Sequence, residues 1–182
     1  MSGLQVVKWP SKVLETKASE VLIFDAALRE FVKNMHETMD LQNGIGLAAN
    51  QVNVLQRVLV IHIPFSKERY GDEGEASWWH NKRFTFINPS IVEKKGGLVR
   101  SVEGCLSFPE IFDFVERSSE IVVKAFDENG KEFRVEADGL LSICLQHEID
   151  HLDGIVFTER MSRLKANSIR KKLMNSKKEK LG

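Results

Sequence analysis

The chain has 182 residues, 42% hydrophobic and 29% charged, with no net charge at neutral pH. This is enough apolar material for one soluble globular domain with a core. The zero balance removes any whole-chain electrostatic case for nucleic acid or an anionic membrane, and no apolar run approaches the ~20 residues of a membrane span. Residues 25–42 predict an amphipathic helix, because Leu28, Phe31, Val32, Met35 and Met39 recur at spacings of three and four. Asp25 stands in the N-cap position, and Gly44 stands where the helix should stop. Residues 58–63 are a β-branched strand closed by Pro64. Residues 66–83 are polar and turn-rich and predict a long surface loop; its Tyr70, Trp78 and Trp79 either shield a cleft or cover the core. Residues 84–87 and 91–92 predict short strands around an Asn88-Pro89 turn. Residues 121–126 and 133–135 flank Asp-Glu-Asn-Gly, a hairpin signal. Residues 140–152 predict a helix ending before Gly154, and a basic helix with a frayed end follows from residue 158. Strands in the middle with helices before and after them predict an α+β domain, mainly antiparallel, around a central buried helix.

Three stretches carry chemistry. Gly44-Ile45-Gly46-Leu47-Ala48-Ala49-Asn50-Gln51 loosely matches a dinucleotide fingerprint. That fingerprint needs a strand before it and a helix opening from it, whereas here a helix precedes it. The glycines instead suit close backbone approach to a substrate, with Gln51 as a neutral donor for an oxyanion.

Gln146-His147-Glu148-Ile149-Asp150-His151 lies in a segment that is apolar nearly all round, so its helix should be buried. Histidines four apart share one helical face and can hold one divalent metal, with Glu148 beside them to act on water. Buried polar groups need such a use, whereas isolated His36, His62 and His80 read as structural or surface residues. Cys144 lies seven residues from His151, about 10 Å along a helix, too far for both to reach one ion; it reads as a small apolar residue. Cys105, in Glu103-Gly104-Cys105-Leu106-Ser107, is the better third ligand. Three protein ligands leave one position open, the catalytic arrangement. No export signal is visible in the first ten residues, so both cysteines are read as free thiols of a reducing, cytoplasmic compartment.

These three motifs, in this order, closely resemble those of the peptide deformylases, and the likeness spans roughly residues 4–161. The resemblance implies a metal-dependent hydrolase that removes the N-formyl group from the N-terminal methionine of nascent chains. It implies that Cys105, His147 and His151 bind the metal, that Glu148 is the acid/base, and that Gln51 and the Leu106 N–H hold the oxyanion. Gly46 would hydrogen-bond the substrate backbone. Ferrous iron is the expected metal, with zinc, nickel or cobalt also accepted. Leu140, Ile143 and Cys144, with Ile45, are placed to line a pocket for methionine or simply to fill the core. Some relatives have an arginine where Phe112 stands, so any contact made by that arginine is absent here. Arg117 either pairs with Glu103 or lies on the surface.

Residues 160–182 hold nine lysines and arginines against Glu179 alone, so this tail carries +8 and the other 159 residues −8. The division expected is a catalytic domain over 1–161 and a basic helical extension over 162–182. Such a tail is a solvated helix face or, by the resemblance, a dock for ribosomal RNA, and a helical tail resembles the first of the family's two bacterial classes. The expected state is a monomer. Two alternatives remain: a metalloendopeptidase, against which Cys105 argues, and an inactive ribosome-binding module, which should lack Glu148 or Gln51.

Overall fold

The computed structural model of the chain describes residues 3–65 and 77–179, the last four by backbone alone. Tyr70 and most of the predicted 66–83 loop lie outside the described residues. Helix α1 spans Ala26–Leu41 and is capped by Asp25, whose carboxylate accepts from Leu28 N at 2.9 Å. Its apolar face buries Leu28, Val32, Met35 and Met39 against β1 (Gly46–Ala48) and β2 (Val58–His62). The helix stops where expected, just before Gly44. Asn43 takes the left-handed conformation (φ 54°), and Gly44 N closes the end on Met39 O at 2.9 Å. Asparagine tolerates that region because its short side chain bonds locally.

The middle of the chain departs furthest from expectation. The two short strands predicted at 84–87 and 91–92 belong to one long strand, β3 (Arg83–Cys105). Asn88-Pro89 is not a turn but an irregularity, where the register with the next strand shifts between Ile87 and Ser90. Asn88 sits at φ 51°, and its side chain bonds Val21 N and O at 2.8 and 2.9 Å. Proline at a bulge forgoes the ladder bond it cannot make. β4 (Phe108–Phe126) returns alongside β3, and β5 (Glu132–Asp138) follows the predicted hairpin. Among the described residues the strands form an antiparallel sheet of five in the order β1-β2-β3-β4-β5.

Helix α2 (Gly139–Leu152) packs Leu141, Leu145, Ile149 and Leu152 into the core with Leu59, Ile61, Phe86 and Val123. Trp79 belongs to that core, 3% exposed and bonded through Nε1 to Asp138 at 2.9 Å. Trp78 stacks edge-on against Phe84. Both tryptophans therefore cover the core rather than a cleft. A short turn, Phe157–Arg160, leads into α3 (Arg163–Glu179), and α3 packs Ile169 and Leu173 against Phe108, Val115 and Phe157. No described helix is long and apolar enough to cross a membrane.

His36 is half-buried on α1 and pairs with Thr85 Oγ1 at 3.2 Å. Burial, with Arg83 nearby, lowers its pKa from 6.5 to about 4. A lowered histidine pKa means that the unfolded chain binds the extra proton between those values, so stability falls as pH drops from 6.5 to about 4 and then levels off. The ring is partly exposed, so the loss expected is about 1–2 kcal/mol. Thermal melts at pH 7 and pH 4 should differ less in His36→Gln than in the native chain; an equal difference rules His36 out as the source.

Candidate active site

The site lies where α2 meets the β3–β4 turn and β1. One face of α2 presents both motif histidines, with ring centroids 5.0 Å apart. Cys105 ends β3, and its Sγ lies 3.2 Å from His151 Nε2. One ligand atom from each of Cys105, His147 and His151 falls within 4.8 Å of the others. The chemistry of this set suits a divalent first-row cation: a soft thiolate with two imidazoles. Burial, the largest influence, holds His151 well below its ordinary pKa, so its ring is neutral. The buried His151 Nδ1 has no hydrogen-bond partner among the described residues, whereas His147 Nδ1 bonds Glu103 Oε2 at 2.8 Å. That bond fixes the His147 proton on Nδ1 and turns Nε2 toward the site.

Cys144 stays apart. It is 5% exposed, its Sγ faces the Ile45 carbonyl at 3.8 Å, and burial pushes its thiol well above the ordinary value.

Gln51 comes from the short turn Ala49–Val52 and is 1% exposed. Its Oε1 accepts from Ala48 N at 2.9 Å, which directs Nε2 toward Cys105 Sγ at 3.5 Å and Ser107 Oγ at 3.3 Å. Leu106 occupies the tight β3–β4 turn, and its carbonyl is bound by Lys8 Nζ at 2.6 Å. Glu148 is 4% exposed, and its Oε2 accepts no hydrogen bond among the described residues. Burial pushes its carboxyl up to about 7, with Glu103 adding to the rise while His147 and Arg117 oppose it. A Cβ on Gly46 would lie 2.6 Å from Glu148 Oε1 and 2.8 Å from Cys144 Sγ, so only glycine lets β1 pass this close to α2.

These groups open onto a cleft of about 860 Å³ lined by Ile45, Gly46, Leu106, Leu140, Ile143 and Phe112. Phe112 is 70% exposed at the mouth, with its ring over Gly104, where a Cβ would come within 2.4 Å of it. A second groove of about 660 Å³, between Lys17, Arg57 and Asp153, contains none of the motif residues. His36, His62 and His80 are likewise remote: His62 faces Asp40 at 3.5 Å, and His80 Nδ1 accepts from Ser77 N at 2.8 Å.

Arg117 is buried and pairs with Glu103. Burial pushes Glu103 upward, but hydrogen bonds from Arg117 and His147 outweigh it and hold its carboxyl at about 2. Sequence reasoning missed Asp150 and Arg160 as partners in this ion network. The available signal was Asp150 itself, an acid inside an apolar helix.

The family profile for polypeptide deformylase matches residues 4–167. The chain belongs to the polypeptide deformylase family. A peptide deformylase of Chromobacterium violaceum is 46% identical over 179 residues, 98% of this chain and 99% of its own length. One from Neisseria gonorrhoeae is 44% identical over 178 residues, 98% of each. The crystal structure of the Ehrlichia chaffeensis peptide deformylase in complex with actinonin aligns at a TM-score of 0.86 and 39% identity, over 97% of this chain and 98% of that one. The chain is thus a hydrolase of the deformylase type, acting on formylated nascent peptides and dependent on a metal ion. The endopeptidase alternative falls with that assignment. Glu148 and Gln51, which an inactive module should lack, both stand in the site.

Proposed function

We propose that Cys105, His147 and His151 hold one divalent cation, ferrous iron in the cell, and that the surrounding residues divide the deformylation chemistry between them. The approach of the three ligand atoms to within 4.8 Å of one another carries this reading. A cation in that set supplies Lewis acidity, polarising a carbonyl oxygen and acidifying water. Glu148 takes the proton of the attacking water and delivers it to the departing amine as the formyl C–N bond breaks. Formate and a free amino terminus result. Gln51 Nε2 and the Leu106 N–H donate to the oxygen that becomes negative, each worth roughly 10²–10³ in rate. β1 ends the sheet, so Gly46 offers backbone groups to an extended peptide on the side away from β2. Formate release from a formyl-methionyl peptide, assayed anaerobically with added Fe²⁺, tests the whole reading; its absence rejects it.

Ile45, Leu140, Ile143 and Cys144 form the pocket for the methionine side chain, since all four line the cleft beside Glu148. Ile143→Phe fills that pocket and should lower kcat/KM for formyl-Met about 10-fold more than for formyl-Ala peptides, by loss of apolar burial. An unchanged ratio removes Ile143 from the pocket.

Residues 1–161 form the catalytic part and 162–182 a basic extension, and the extension docks the enzyme on ribosomal RNA near the emerging chain. Its apolar residues Ile169 and Leu173 face the core, while Arg163, Lys165, Lys171 and Lys172 are exposed. Deletion from Ala166 would also strip those core contacts, so charge reversal is the cleaner test. Lys171→Glu, Lys177→Glu and Lys178→Glu together should abolish ribosome co-sedimentation at low salt, because phosphate contacts scale with clustered cations. Unaltered co-sedimentation rejects the dock. The protein acts as a cytoplasmic monomer, and size-exclusion at micromolar concentration tests its oligomeric state.

A further inference from the structure

The charged side chains behind His147 do not stop at Glu103. Arg117 donates from Nε and Nη2 to the two Glu103 oxygens at 2.7 and 2.9 Å, and from Nη1 to Asp150 Oδ2. Arg160 holds Asp150 from the other side, with Nε donating to Oδ2 at 2.9 Å and Nη2 donating to Oδ1. An unbroken path therefore runs from Arg160 through Asp150, Arg117 and Glu103 to the Nδ1 of His147. Side-chain exposure falls inward along it, from 43% at Arg160 to 10% at Asp150 and 4% at Arg117 and Glu103.

Arg160 is the last residue of the Phe157–Arg160 turn, at the root of α3. The same turn meets the site a second time: the Phe157 ring centroid lies 5.9 Å from that of His147 and 5.3 Å from Phe108. The charges along the path alternate in sign. Two carboxylates share two guanidinium groups, and the nearly buried Asp150 is satisfied only with both. Without Arg160, Asp150 leans on Arg117 alone and competes with Glu103 for it. Glu103 then loses the fork that orients its Oε2 toward His147.

We infer that Arg160 is a positioning residue for His147, acting through Asp150, Arg117 and Glu103, and that the Phe157–Arg160 turn thereby ties the root of the C-terminal helix to the active site. The inference rests on the reading of His147 as a cation ligand. Losing a partner that orients a ligand typically costs about 10–100-fold in metal affinity, and Arg160 acts through three intermediaries, so a loss near 10-fold is expected.

The test titrates Co²⁺ against a competing chelator into the full-length chain, read by thiolate-to-cobalt absorption, for the native protein and for R160Q, R160K and L173A. R160Q should weaken Co²⁺ binding about 10-fold and lower kcat at saturating cation more than it raises KM. R160K should recover part of the affinity, because lysine restores the charge but not the planar fork. L173A loosens the same helix without touching the ion path, so it should lower Tm and leave Co²⁺ affinity at the native value. Native affinity in R160Q overturns the inference while leaving the cation site standing. Equal weakening in L173A at a matched loss of Tm overturns it as well. Absence of a cobalt–thiolate band in the native chain would instead reject the cation site, and this inference with it.

Discussion

Glu148→Ala should release formate from a formyl-methionyl peptide about 10²–10⁴-fold more slowly than the native chain, the usual cost of losing a positioned acid/base. Its cation content should be unchanged, because Glu148 is not among the three converging ligand atoms. Its setting supports the proposed proton transfer. It lies against Gly46 at the cleft, is 4% exposed, and carries an Oε2 with no partner among the described residues. A buried carboxylate oxygen without a donor is costly unless water or substrate meets it. Cys105→Ala should fail in the opposite way, losing the cation because the thiolate is gone, and activity with it. Metal content by elemental analysis alongside the formate assay separates the two failures. A Glu148→Ala chain that deformylates at the native rate would sink the acid/base assignment, and a Cys105→Ala chain that keeps its cation would sink the ligand set.

Arg117→Leu should cost about 3–5 kcal/mol of folding stability, the range for breaking a buried ion network by removing one partner. Arg117 is 4% exposed, between Glu103 at 5% and Asp150 at 7%. Removing the guanidinium leaves two carboxylates in a poorly solvated space, with His147 and Arg160 as their remaining side-chain partners among the described residues. Leucine fits the volume but does nothing for the charges. Urea unfolding monitored by fluorescence gives the loss from the shift in midpoint at constant slope. A loss under about 1 kcal/mol would mean that water reaches those carboxylates and that the network is worth no more than a surface pair. The same variant should weaken cation binding, since Glu103 then holds His147 less firmly.

The parts of this protein legible beforehand are those whose signals are local. The α1 face follows from apolar residues at three- and four-residue spacing, and its start from one capping aspartate. The histidines of α2 are brought together by helical periodicity alone, and the same helical rise disqualifies Cys144. What escaped depends on distant pairing. The 23-residue β3 and 19-residue β4 support each other along their length through several register shifts, and no short window announces a strand that bends without ending. Asn88-Pro89 has the composition of a turn, but the Val21 backbone captures Asn88 and makes it a bulge instead.

The reaction class is legible in the sequence through the resemblance its three motifs bear to the peptide deformylases, while the residues alone point to a cation bound by a thiolate and two imidazoles beside a carboxylate and an amide donor. How those groups are held follows from long-range contacts. The Glu103–Arg117 pair spans 14 residues of chain, Arg117–Asp150 33, and Glu103–His147 44. Ion pairs between such distant residues form because the sheet and α2 together exclude water from the space between them, and burial of that kind is a property of the folded whole rather than of any one segment.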